Sequence, residues 1–111
     1  MNRDASYLLD ISRFAQEAQD LVEGMDAEEF AMDRKAQLAV LYDITVLGEA
    51  VKKLSPEFRQ QHSEIAWKQI AGMRDKLIHD YRNVNISRVW HVLKTNIPEL
   101  LEYIQPLLPK E

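Results

Sequence analysis

The 111-residue chain contains no cysteine, which excludes disulfides, thiolate catalysis and cysteine-ligated zinc. Glycine and proline are scarce, at three and four residues. A many-stranded sandwich or barrel needs a turn every 8–12 residues or so, and this chain lacks the residues to make them. No apolar run approaches the roughly 18 residues of a membrane span. The opening stretch MNRDASYLLD carries Arg3 and Asp4 ahead of its first apolar run, unlike a secretory leader. These absences predict no membrane contact and a cytoplasmic location. What remains is 46% apolar and 29% charged, the balance of a folded soluble protein, with room for a single domain over 1–111.

The net charge of −4 argues against a protein that coats nucleic acid indiscriminately. The distribution says more than the total. Residues 74–94 hold Arg74, Lys76, Arg82, Arg88 and Lys94 against Asp75 and Asp80, with His79 and His91 in the same window. A local basic region on an acidic chain suits one anionic group held at a defined place, although clumping by chance gives the same count.

Hydrophobic periodicity is helical throughout. Residues 4–23 place Tyr7, Leu8, Ile11, Phe14, Ala15, Ala18, Leu21 and Val22 at three- and four-residue spacing, with Asp4 as N-cap and Gly24 as the left-handed terminator. Asp26 and Glu29 have capping-box spacing and predict a short turn of helix. A long helix is expected from about Asp33 to Leu54, on the line Leu38, Leu41, Ile44, Val51 and Leu54. Ser55-Pro56 stops it and starts another. Ser63 is the expected cap of a third helix ending near His79 to Tyr81, and Asn85 that of a last helix from Ile86 toward Gln105, broken near Thr95 to Ile97 by Pro98. The expected fold is all-α, a single up-and-down bundle of four to five helices. So small a bundle has reason to offer an apolar face to a second subunit. Trp67, Trp90, Tyr42 and Phe58 are either that face or ordinary core.

Chemistry is suggested where the third helix breaks its own pattern. At about 100° per residue, Arg74 falls in the middle of the stripe formed by Trp67, Ile70, Ala71, Leu77, Ile78 and Tyr81. A guanidinium there must pair with an acid on a neighbouring helix, snorkel to the rim, or face a second subunit or ligand. Glu49 is the candidate acid, and Gly48 beside it would allow close approach of the arginine's helix. His79 is a natural acid or base near neutral pH, or simply a favourable charge at a helix C-terminus. Asp75, four residues earlier, could fix its tautomer. Arg74 and His79 lie about 140° apart on a regular helix, so a shared site requires unwinding near Ile78 or two copies meeting across a dimer axis. His62, His79 and His91 have no metal-binding spacing, and neither a phosphate-cradling glycine loop nor a G-x-S-x-G is present. No metal or other cofactor is expected.

Trp67 to Tyr81 reads W-K-Q-I-A-G-M-R-D-K-L-I-H-D-Y, containing R-x-x-x-x-H-x-Y as Arg74, His79 and Tyr81. It resembles the motif of HepT-like toxins of the HEPN superfamily. Leu9-Asp10-Ile11, Gly48-Glu49-Ala50, Ser55-Pro56 and Val89-Trp90 extend the likeness across roughly residues 7–100. The resemblance implies a homodimer whose two motifs line one cleft, and metal-independent cleavage of RNA, messenger or transfer, with Arg74 and His79 as catalytic pair. Asp75 would fill the polar position after the arginine, with Glu49 in support. It implies a minimal nucleotidyltransferase antitoxin that transfers AMP to Tyr81. The alternative is a non-catalytic HEPN module that binds a nucleotide or a protein partner.

Overall fold

A computed structural model describes residues 3–109, the side chain of Tyr81 excepted. Among the described residues there are seven α-helices: α1 (Arg3–Leu21), α2 (Ala27–Met32), α3 (Arg34–Lys53), α4 (Pro56–Gln61), α5 (Trp67–His79), α6 (Ile86–Lys94) and α7 (Asn96–Ile104). Tyr81–Asn83 and Gln105–Leu107 form 3-10 turns, and no strand occurs among the described residues. The architecture is all-α, as the periodicity predicts. The helix count is higher than expected because α2 and α4 are six-residue helices and the last segment is divided at Thr95, three residues before Pro98.

α3 is the central element, packed against α1 on one side and α5 on the other. Asp4 of α1 reaches Ser55 just past α3, while Phe14 stacks edge-on against Tyr42, so these two helices run antiparallel. Gly48 and Glu49 of α3 meet Arg74 of α5, whereas the earlier Thr45 and Leu41 share a groove with Leu77, which makes that pair antiparallel too. α7 closes the bundle on α1 and α6, and α2 bridges α3 and α6 through Phe30, whose ring lies 5.2 Å from that of Trp90. Ile11, Val40, Ile44, Leu47, Ile97 and Leu100 are sealed in the core. A fully buried side chain of this kind contributes about 1.5–3 kcal/mol.

Helix ends follow local chemistry at most boundaries. Asp26 accepts from Glu29 N at 2.8 Å and Glu29 returns the bond, a complete capping box. Asn85 caps α6 and Ser55 caps α4. Gly24 takes φ +82°, the left-handed conformation expected there. Two expected caps are corrected. Asp4 lies inside the first turn of α1 and binds the N–H and hydroxyl of Ser55 at 2.8 and 2.7 Å. Ser63 caps nothing, because α5 starts only at Trp67, whose indole N–H donates to the His62 carbonyl at 2.8 Å. Trp67 is buried, and Phe58 and Trp90 pack against the core. Tyr42 alone of the four aromatic candidates is open to solvent, 63% exposed.

Candidate catalytic site

Arg74 reaches its position because α3 carries no side chain at residue 48. A Cβ added to Gly48 would collide with the Arg74 Cβ and lie 2.9 Å from its Cγ. The glycine, which costs a helix interior about 1 kcal/mol relative to alanine, lets α5 press its arginine stem directly onto α3. The guanidinium is paired through Nη2 with the Glu49 carboxylate, and Nη1 donates to Asp75 Oδ1 at 3.0 Å. Asp75 in turn accepts from Lys52 Nζ at 2.9 Å, and Lys53 stands 3.9 Å from Glu49. Charges alternate along Lys53, Glu49, Arg74, Asp75 and Lys52. Lys52 first, and Arg74 second, hold the Asp75 carboxyl below its ordinary range. The Arg74 side chain is only 19% exposed and borders a groove with Tyr7, Asp10 and Thr45. Its buried Nε has no hydrogen-bond partner among the described residues.

The expected pairing of Arg74 with Glu49 is therefore present. The expected contact of Asp75 with His79 is not: its carboxylate serves Lys52 and Arg74, and among the described residues no hydrogen bond joins it to His79. The tertiary contact with Lys52 and the adjacent guanidinium outcompete the i, i+4 neighbour here, because both offer charge-assisted bonds.

His79 is the last residue of α5 and is exposed. With Lys76 it places basic groups in the final turn, where they meet the negative end of the helix dipole. α5 stays helical through His79 and ends at Asp80, whose N–H binds the Lys76 carbonyl at 2.8 Å. Unwinding near Ile78 is thereby removed as a way to join Arg74 and His79. The two leave the helix about 140° apart, one toward α3 and one toward solvent. Tyr81 opens the following 3-10 turn, and its side chain lies outside the described residues. Among the described residues no group of three or more His, Asp or Glu side chains could hold a metal ion.

Beside His79 the bundle leaves apolar surface uncovered. Ile78, placed by spacing in the stripe that faces α3, is 42% exposed, and Leu38 of α3 is 51% exposed next to Tyr42. One ionisable group was missed by the sequence reading. Asp43 is fully buried between α3 and α1, and burial first, then the neighbouring Glu17 carboxyl, push its pKa up to about 7. Its spacing from Val40 and Leu47, three back and four on, is the signal that could have found it.

The family model described as "Ribonuclease HepT-like" matches residues 11–107. A relative from Caldanaerobacter subterraneus subsp. tengcongensis, named "Putative RNase", is 41% identical over 104 residues, covering 91% of this chain and 93% of its own. Another "Putative RNase", from Methanocaldococcus jannaschii, is 36% identical with 93% and 89% covered. The "Probable ribonuclease HepT" of Thermococcus cleftensis is 37% identical over 94 residues, covering 85% of this chain and 86% of its own. No solved structure matches the chain.

Proposed function

We propose, from the premise that the chain belongs to the ribonuclease HepT-like family, that two copies of this RNase complete one cleavage centre between them. The observation that carries this reading is the divergence of Arg74 and His79 on an unbroken α5. A centre that needs both groups on one phosphate is assembled from two chains. Leu38, Tyr42 and Ile78 offer apolar surface for such an interface at the end of the bundle from which His79 projects.

The chemistry follows from the groups. A ribose 2′-hydroxyl loses its proton to one imidazole as its oxygen attacks phosphorus, and the 5′-oxygen leaves with a proton from the second copy's histidine, then an imidazolium. Charge gathers on the non-bridging phosphate oxygens, where the Arg74 guanidinium donates charge-assisted hydrogen bonds. Glu49 and Asp75 hold that guanidinium in one place, so little ordering is left for the moment of reaction. The products are a 2′,3′-cyclic phosphate and a free 5′-hydroxyl.

The same reading makes the protein the toxin of a toxin–antitoxin pair in the cytoplasm, controlled by a minimal nucleotidyltransferase. Tyr81 stands two residues beyond His79, at the start of a turn. AMP joined to its hydroxyl would add about 329 Da, together with bulk and negative charge that repel an RNA phosphate. The deciding experiment incubates the purified protein with total RNA and with tRNA in EDTA, beside His79→Ala. Cleavage that survives the chelator, yields cyclic phosphate ends and disappears in His79→Ala is the expected result. Activity lost in EDTA and restored by magnesium overturns the mechanism, and no cleavage at all favours the non-catalytic binding module.

A further inference from the structure

Gly72 has no packing reason to be a glycine. It lies within α5, where glycine costs about 1 kcal/mol relative to alanine, and a Cβ built on it would meet nothing within 4 Å. Gly48 admits Arg74, whereas Gly72 admits no described part of this chain. It helps line a groove of about 220 Å³ between α5 and α6, with Met73 and Leu77 as apolar surface. Lys76 and Arg88, both exposed, stand at its sides, and none of the described residues lining it is acidic. Asn85, also at the groove, accepts from Arg88 N at 3.0 Å and so caps the nine-residue α6, whose positive end adds to the two cations. Lys76 precedes His79 by three residues, about 60° around the helix, so groove and exposed histidine share one side of α5.

We propose that this groove holds one nucleotide of a single-stranded RNA beside the bond that is cut. The base lies over Gly72 against Met73 and Leu77, and its phosphate sits between Lys76 and Arg88. The proposal rests on the ribonuclease reading above and names where that substrate is gripped. Size supports a single base: the volume falls below the roughly 300–1,000 Å³ of whole-ligand pockets. Charge supports an anion, since the cations lie on a chain of net charge −4 and no lining carboxylate opposes them. An apolar floor meets the face of a base rather than its hydrogen-bonding edge, so discrimination among bases at this position is shallow.

A fluorescein-labelled RNA decanucleotide of mixed sequence is the probe, followed for cleavage by the parent protein and for anisotropy in a His79→Ala background. Gly72→Leu puts a good helix former into open space. It is expected to raise the Tm while lowering kcat/KM about tenfold through KM, because the leucine fills the space the base would take. Arg88→Ala is expected to weaken binding in the His79→Ala background and to reduce the slope of log K against log salt by about 0.7. Arg13→Ala, an exposed cation of α1, leaves both unchanged. A Gly72→Leu protein that cleaves with the parental KM overturns the groove and spares the ribonuclease. A parent that neither cleaves nor binds the probe brings down the ribonuclease reading itself. If light scattering shows that Gly72→Leu splits a dimer into monomers, the groove is an interface between copies and the nucleotide assignment falls. Should Gly72→Leu lower the Tm, Arg88→Ala decides alone, with parental affinity and salt slope overturning the proposal.

Discussion

Gly48 and Gly72 both interrupt a helix interior, yet a side chain added at the first would strike Arg74 and at the second would meet nothing. They mark two unlike faces of α5. Toward α3 the helix is pressed close, its arginine mostly covered and neutralised by Glu49 and Asp75. Toward solvent and α6 it carries Lys76, His79 and an open groove with no lining carboxylate among the described residues. The closed side fixes its ionisable group, Arg74, between two carboxylates, whereas the open side leaves His79 exposed. The motif Arg74, His79 takes one member from each.

The largest expected effect separates those members. His79→Ala should lower RNA cleavage about 10²–10⁴-fold, the usual worth of a positioned proton-transfer group, and leave the Tm where it was. Arg74→Ala should lose about 10²–10³-fold in cleavage and also lower the Tm, because it removes the cation shared by Glu49 and Asp75 and empties a tight contact. Cleavage assays and thermal melts on the same preparations read both. An Arg74→Ala protein as stable as its parent breaks the comparison.

Next in size is the pH dependence of the buried carboxyl on the far side of α3, where that helix meets α1. Asp43 ionises near its ordinary 3.8 when unfolded and at about 7 when folded. Between those values the folded state holds the proton that the unfolded state has lost, so stability falls as pH rises from about 4 to 7 and is level above. The loss is on the order of a few kcal/mol. Asp43→Asn keeps the shape of the protonated acid. Its Tm should stay nearly flat over that window and exceed the parent's at pH 8. An unchanged slope would mean that Asp43 is not the group that titrates.

A smaller effect is expected at Gly48→Ala. The methyl gains about 1 kcal/mol of helix propensity, but the Arg74 Cβ it meets is anchored to the α5 backbone and cannot swing away. Overpacking of this kind costs about 1–3 kcal/mol, so a net destabilisation of up to about 2 kcal/mol is expected by urea titration. Cleavage falls with it as α5 is pushed off α3. The same substitution at Gly72 should stabilise, and that opposite sign sharpens the contrast between the faces.

How far the sequence could be read depended on the range of the interactions. The caps at Asp26 and Asn85 are bonds within three residues, and both were legible, as was the break at Ser55-Pro56. Arg74 with Glu49 was legible as one of three outcomes for an arginine within an apolar stripe, and Gly48 pointed to where helices touch. Ser63 misled because the start of α5 is set by an indole bond to His62 rather than by a side-chain cap. Asp4 misled because its partner, Ser55, lies 51 residues away. The groove beside Gly72 was invisible to periodicity, which reports what a helix covers and is silent about space left open.

Asp75 offers the smallest and most discriminating change. Helix spacing pairs it with His79, four residues on, whereas the fold pairs it with Lys52 and Arg74. The two assignments differ in one observable. A carboxylate that orients an imidazole raises its basicity, so removing its charge would shift the pH profile of cleavage toward acid. A carboxylate that only steadies Arg74 leaves the profile in place and lowers the rate at every pH alike. Asp75→Asn retains the carbonyl that can accept from Lys52 or Arg74, and the open setting of its pair with Lys52 makes that loss worth little. The Tm should barely move, and cleavage should fall less than about tenfold. If the limb of the profile that reports His79 stays at the parental pH, Asp75 belongs to the closed face. If it moves, the carboxylate reaches across to the open one, and the division between the two faces of α5 fails at the residue that touches the arginine.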